Sequence, residues 1–239
     1  MQLTTSALVL SALKYGDTSL IVKAYTASDG LKSYLLKGVL ASKKGKLKAA
    51  YFQPLTQLEL TVVHKNKGTL ERIKEVKLLH PYYTIHSDIV KNSLVLFLAE
   101  ILANSIQGEE KDTALYDYLE KALLWLDQND EVANFHLLFM INLSRYFGFY
   151  PEPPEGISNY FDLAEGEFIT TPSLNPLLEK EALHHFKTLL GINFDGLNTI
   201  KIPKTQRKSL VQSLVLYFEL HLHGFRIPIS LAVLNAVFD

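Results

Sequence analysis

The chain has 239 residues, 48% of them apolar, with 24 Lys/Arg against 25 Asp/Glu and no cysteine. That is enough apolar surface to bury one large or two small cores, which excludes disorder as the dominant state. The lack of cysteine excludes disulfides, thiolate zinc sites and a cysteine nucleophile, and suits a reducing compartment.

The opening Met1-Gln2-Leu3-Thr4-Thr5 lacks the basic segment of a secretion signal. No uncharged run reaches the roughly 18 residues that span a membrane, so the expectation is a cytoplasmic protein with no membrane partner. The net charge of −1 hides an asymmetry: residues 1–80 carry 13 Lys/Arg against 5 Asp/Glu, whereas residues 81–239 carry 11 against 20. Segregation of that kind is expected when one module faces a polyanion, because each phosphate contact releases condensed counterions.

In chain order, Ala7–Leu13, Ser19–Thr26, Leu31–Gly38, Gln57–Val63 and Thr69–Val76 read as strands. Turns at Tyr15-Gly16-Asp17, Ser28-Asp29-Gly30 and Asn66-Lys67-Gly68 separate them. Five short strands with one long connection predict a small closed barrel. Alternation points Leu20, Val22 and Ala24 inward and Ile21, Lys23 and Tyr25 outward, then Leu31 and Leu35 inward and Lys32, Tyr34 and Leu36 outward.

From Pro81 onward the period becomes helical. Asp88–Gln107 is apolar enough to be a helix buried on most sides, and Asp112 caps Thr113–Leu126. Asn129 or Asp130 is expected to cap a helix that runs to Phe147 and stops at Gly148. The proline-rich Pro151–Gly156 ends this run, and Tyr160–Leu163 and Glu167–Thr170 form a hairpin around Glu165-Gly166. Helices are predicted again at Pro176–Leu190, Lys204–His223 and Ile229–Phe238, with Pro176 and Pro203 in first turns. The fold class is α+β, with a boundary at residues 80/81 and a helical part, 81–239, interrupted at 149–175.

Chemistry is sparse. Gly38–Leu47 is superficially a phosphate loop, but six residues rather than four separate its glycines, and Leu47 stands where a metal-holding Ser/Thr is needed. What remains is a basic loop with Lys37, Lys43, Lys44, Lys46 and Lys48 beside the outward Lys23/Tyr25 and Lys32/Tyr34. A positive groove with aromatic faces is an economical way to hold single strands; a solvated charge run and packing tyrosines are the bland alternative. Lys201, Lys204, Arg207 and Lys208 cluster at a helix start, where the macrodipole disfavours positive charge, and suggest a second anion contact.

The eight histidines show no metal-ligand spacing, no GxSxG or GxGxxG occurs, and the Asp162, Glu165, Glu167 cluster lacks an obvious apolar pocket to separate its pKa values. No enzyme and no cofactor are expected.

The order of several segments resembles the RecO family of DNA repair and recombination mediators, in particular its zinc-less bacterial members. The resemblance is carried by Ala7-Leu8-Val9-Leu10, Lys14–Val22, Tyr25–Gly30 and Leu36-Lys37-Gly38-Val39, then Phe97–Leu102, Phe147–Pro151 and His221–Phe225. It implies an N-terminal OB-fold over 1–80, a helical C-terminal domain, and no catalytic turnover. The segment 149–175 would be the degenerate counterpart of a four-cysteine zinc module, held here by packing alone.

Members bind single- and double-stranded DNA, anneal complementary strands, associate with RecR, and engage single-stranded DNA-binding protein to help load RecA at gaps, which places them at the bacterial nucleoid. Carried over to this chain, the DNA contacts are Lys23, Lys32, Lys37, Lys43, Lys44 and Lys46. A protein-interaction adaptor and an RNA-binding OB protein are the alternative readings.

Overall fold

A computed structural model describes residues 2–41, 47–65, 69–108 and 110–238. The chain forms two compact units, Met1–Asp127 with Pro228–Ser230, and Gln128–Ile227 with Leu231–Asp239.

The first unit opens with five antiparallel strands, β1 (Gln2–Tyr15), β2 (Ser19–Thr26), β3 (Gly30–Leu36), β4 (Gln57–Val63) and β5 (Arg72–Leu78), in the order β3-β2-β1-β4-β5. The two edge strands meet at one parallel bridge, Tyr34↔Glu71, where Glu71 N donates to Ser33 O at 2.8 Å and Leu35 N donates to Glu71 O at 3.0 Å. The edges of one sheet can touch only if it curls, so the expected five-stranded OB-type sheet is present, but among the described residues no continuous ladder closes it into a barrel. Its concave side buries Val9, Val22, Leu36, Phe52, Leu58 and Leu60.

The expected facing of β3 is overturned. Tyr34, Leu36 and Lys32 are buried, while Leu31 and Leu35 are only half-buried. Both alternate sets of this strand contain apolar residues, so its own periodicity cannot choose between them. The register decides: Leu20↔Leu36, Val22↔Tyr34 and Ala24↔Lys32 are directly opposed, and opposed residues share a face.

The Tyr34 hydroxyl is accommodated by His64 Nε2 at 2.9 Å, whose Nδ1 lies 3.1 Å from Asp29 Oδ2. Burial raises the Asp29 carboxyl, but the Ser28 hydrogen bond and the neighbouring His64 and Lys32 outweigh it and hold Asp29 below the usual carboxylate range.

A bulge between Val9 and Ser11 changes which alternate positions of β1 face inward. There Val9 N donates to Thr56 O at 3.1 Å and Leu55 N to Val9 O at 2.7 Å. The same unit contains α1 (Ile89–Ser105) and α2 (Thr113–Gln128): Asp112 accepts from Leu115 N as the expected cap, and Asp88, expected as the first helical residue, instead caps α1 by accepting from Lys91 N, both at 2.9 Å. α1 buries residues around most of its circumference and packs on β1.

Asp127, at the end of α2, is a buried carboxylate that receives Tyr83 N, Thr84 N and Ile85 N at 2.9 to 3.0 Å. Burial works against its charge, but these amides and the Thr84 hydroxyl hold it below the ordinary range.

In the second unit α3 (Phe135–Ser144) begins at Phe135, several residues after the expected cap at Asn129 or Asp130. Asn134 directs its side chain to Ile200 O at 2.8 Å instead of capping a longer helix. A 3₁₀ turn, Arg145–Phe147, then stops at Gly148, which takes the left-handed φ of 81°.

The hairpin is present as β6 (Tyr160–Asp162) and β7 (Glu167–Ile169), and a third strand, β8 (Leu177–Glu179), pairs with β6 on its other side. The helix expected from Pro176 therefore starts only at Lys180 as α4 (Lys180–Leu189). Pro176 is not in a helical turn, and its carbonyl accepts from Leu163 N at 3.0 Å. Pro203 is the cap of α5 (Lys204–His221), one position before the expected first turn. The last helix is α6 (Leu231–Val237).

Packing alone does not hold the 149–175 region. Asp162, 2% exposed, accepts Ala164 N (3.0 Å), Glu165 N (3.2 Å), Ser173 Oγ (2.5 Å) and Asn175 Nδ2 (3.0 Å). One buried carboxylate thus ties the β6–β7 turn to the following loop, beside the Phe161, Phe168 and Phe186 cluster. Burial opposes its charge, and these four donors keep its pKa below the usual range.

Candidate nucleic-acid interface

The convex side of β1–β2–β3 divides at the β1 bulge. On one half, Leu8, Leu10 and Tyr25 are buried under the helices of the same unit. Tyr25 stacks on Tyr116 of α2 at 6.3 Å and donates to Asp112 O at 3.2 Å. Burial, followed by the nearby Asp112 charge, pushes the Tyr25 hydroxyl up to about 12. The outward direction expected for Tyr25 is therefore right with respect to the sheet, yet a helix covers the ring and closes it to a base. Tyr34 and Lys32 are withdrawn to the interior, as described above, and Tyr34 is 0% exposed.

The other half is bare. Past the bulge, Ser11↔Lys23↔Ser33 and Leu13↔Ile21↔Leu35 form two successive rows across the three strands. Beyond them Tyr15 opposes Ser19, and Lys37 follows directly on β3. Leu13 is 63% and Tyr15 57% exposed. Lys23 and Lys37 are exposed here, whereas Lys14, opposed to Leu20, is exposed on the other face, and none of the three has a carboxylate partner among the described residues. Aromatic and apolar surface next to unpaired ammonium groups is the chemistry needed to stack a base and neutralise its phosphate.

Tyr15 is the residue that sequence reasoning missed, because a Tyr-Gly-Asp triplet reads as a turn. The available signal was its two-residue spacing from Leu13. Lys48 is exposed just before the 3₁₀ turn Ala49–Phe52. Lys43, Lys44 and Lys46 lie outside the described residues.

In the second unit the cluster at the start of α5 is partly engaged in packing. The Arg207 guanidinium sits 4.9 Å over the Phe238 ring and reaches Ile202 O at 3.4 Å, while Lys201 and Lys204 are exposed. Phe238 also stacks on the fully buried His136 at 5.6 Å. Burial, reinforced by the Arg207 charge, lowers His136 from 6.5 to about 3, so it is neutral in the fold.

Of the acidic trio, Asp162 is the buried tie of the hairpin, whereas Glu165 and Glu167 are exposed. Among the described residues no three His, Cys, Asp or Glu side chains converge to hold a metal ion, and no helix is long and apolar enough to cross a membrane.

Two family descriptions match the chain, Recombination protein O N terminal over residues 1–82 and Recombination protein O C terminal over residues 86–228. A DNA repair protein RecO of Flavobacterium psychrophilum is 48% identical over 239 residues, spanning 100% of both chains. That of Christiangramia forsetii is 47% identical over 238 residues with the same coverage, and that of Bacteroides fragilis is 36% identical over 239 residues, covering 98% of each.

Proposed function

This chain belongs to the RecO family, and on that premise we propose that it is a non-enzymatic DNA repair protein that holds single-stranded DNA on the bare half of the convex β1–β2–β3 face. The observation that carries this reading is the unpaired Lys23 and Lys37 around exposed Tyr15 and Leu13. The ammonium groups neutralise phosphates, the Tyr15 ring stacks a base, and Lys43, Lys44, Lys46 and Lys48 add further phosphate contacts. Lys204, Arg207 and Lys208 serve as a second, weaker anion contact, with Arg207 limited by its packing against Phe238.

On this surface the protein binds single- and double-stranded DNA and promotes annealing. Together with a RecR-like partner and single-stranded DNA-binding protein, it helps load RecA at gaps. Its place of action is the bacterial cytoplasm, on the nucleoid. These finer steps rest on the family membership.

The test is the affinity for a fluorescent single-stranded oligonucleotide across a salt series. A slope of log K against log salt near −3 corresponds to roughly four neutralised phosphates at about −0.7 each. No binding at low salt would remove the DNA role and leave a protein-interaction adaptor. Equal or better competition by RNA of the same sequence would move the assignment to RNA. Lys43→Glu with Lys44→Glu is expected to weaken binding without lowering the melting temperature, and unchanged affinity would remove these two lysines from the DNA contacts.

A further inference from the structure

The second unit contains an open cleft of about 970 Å³ between the proline-rich segment after the α3 region and the β6–β7 turn. Its charged lining is Glu152, Glu155, Glu165 and Glu167, all exposed, with no Lys or Arg among the lining residues. Its walls are aromatic, formed by Phe149, Tyr150, Phe168 and Tyr217, and Ile157 stands 88% exposed at its edge.

The polar tips at the back are used internally: the Tyr217 hydroxyl donates to Phe149 O at 2.6 Å, and His221 Nε2–H donates to Leu163 O at 3.0 Å. Ser158 Oγ, shielded from solvent, lines the cleft without a hydrogen-bond partner among the described residues.

Three features define what this cleft accepts. First, its charge repels nucleic acid, so it is separate from the proposed DNA contact. Second, no three of its acidic or histidine side chains converge on one point. The negative charge is strung along the cleft, which matches a chain with several spaced cations better than a single ion. Third, its rings already receive cations: the Arg145 guanidinium lies 4.1 Å over Tyr150, and Lys187 Nζ lies 5.5 Å from the Phe168 ring centre. Neither cation forms an ion pair with the four glutamates, which leaves the carboxylates open to a partner. Pro151, Pro153 and Pro154 restrict the rim, so little ordering is required when a partner docks.

We propose that this cleft binds an arginine-rich segment of a protein partner, with guanidinium groups stacked on the aromatic walls and paired with Glu165 and Glu167. Arginine fits better than lysine because its planar fork can stack on a ring and chelate a carboxylate at once.

The experiment uses the full chain and a fluorescein-labelled peptide of alternating arginine and serine, read by fluorescence anisotropy, with an alternating glutamate–serine peptide as control. Binding of the arginine peptide alone is expected, and Glu165→Lys with Glu167→Lys should reduce its affinity by about tenfold or more. The reversal of two exposed acids in the first unit, Glu110→Lys with Asp117→Lys, should leave the affinity within about twofold.

Equal losses in the two double variants would show diffuse attraction to an acidic surface and overturn the proposal, as would no binding or an unchanged affinity in the cleft variant. Single-stranded DNA affinity and the melting curve of each variant report on its fold. If the lysine pair disturbs the hairpin, Glu165→Gln with Glu167→Gln must still weaken peptide binding, or the proposal is wrong.

Discussion

The convex face of β1–β3 and the cleft beside β6–β7 use the same ingredients with opposite sign. Each sets exposed aromatic or apolar surface beside unpaired charge, lysine in one and glutamate in the other. The bulk excess of basic residues in 1–80 and of acidic residues in 81–239 does not by itself locate either site, because many of those charges are engaged elsewhere. Lys32 is buried near Asp29, Lys74 Nζ donates to Gln2 Oε1 at 2.6 Å, and Lys77 pairs with Glu59 at 3.4 Å. What distinguishes a candidate site is charge left unpaired next to apolar surface, because only there can a ligand gain both contacts.

The two units that carry these regions each contain a single buried carboxylate that gathers backbone amides, Asp127 in the first and Asp162 in the second, and removing it should have the largest effect. Asp127→Ala removes the acceptor of three backbone amides, that of Ile85 buried, and is expected to lower stability by about 3 kcal/mol in urea unfolding. Asp162→Ala should cost about 2 kcal/mol, because the small β6–β7–β8 sheet can open locally. Equal, near-zero losses in both would mean that packing, not the carboxylates, holds these loops.

The sign difference between the two faces is sharpened by Lys23→Glu with Lys37→Glu. Single-stranded DNA affinity should fall by about 30-fold, or about 2 kcal/mol, and the salt slope should shrink by about 1.4. Reversing Glu165 and Glu167 to lysine should leave DNA affinity almost unchanged, and a large gain there would blur the distinction.

A smaller effect separates the bare and covered halves of the sheet. Tyr15→Ala should cost about 1–2 kcal/mol of single-stranded DNA affinity, whereas Tyr25→Phe should cost none, since that ring lies under α2.

The smallest effect concerns pH. A histidine held neutral with its pKa lowered from 6.5 to about 3 binds fewer protons folded than unfolded between those values, so its contribution to stability falls as pH drops below 6.5. One unit below that point the loss is about 1 kcal/mol. The depressed carboxyls of Asp29, Asp127 and Asp162 add the same direction of change further into acid, below the ordinary carboxylate range. Unfolding free energy measured from pH 7 to 5 should decline in the parent chain and stay flatter in His136→Gln.

Of the site, Lys23 and Lys37 were legible in the sequence because alternation along β2 and the end of β3 put them on an exposed edge. Tyr25 and Tyr34 were not correctly placed as stacking residues, since what covers a strand depends on segments far away in the chain: Tyr116 of α2 for one, the register with β2 for the other. The cleft lining was visible only as a proline-rich break and an acidic cluster, because its walls combine residues from 148–158, 165–168 and α5.

The sequence by itself determined the local signals of this protein. Asp88 and Asp112 cap helices, Gly148, Gly191 and Gly224 take positive φ at helix ends, and β2 and β4 keep the expected limits. Each of these depends on hydrogen bonds or sterics within a few residues. Tertiary structure alone decided which face of β3 points inward, that Leu177–Glu179 is a strand rather than a first helical turn, and which half of the convex face is bare. In each case two local conformations or orientations were nearly equivalent, and pairing with a distant partner made the choice.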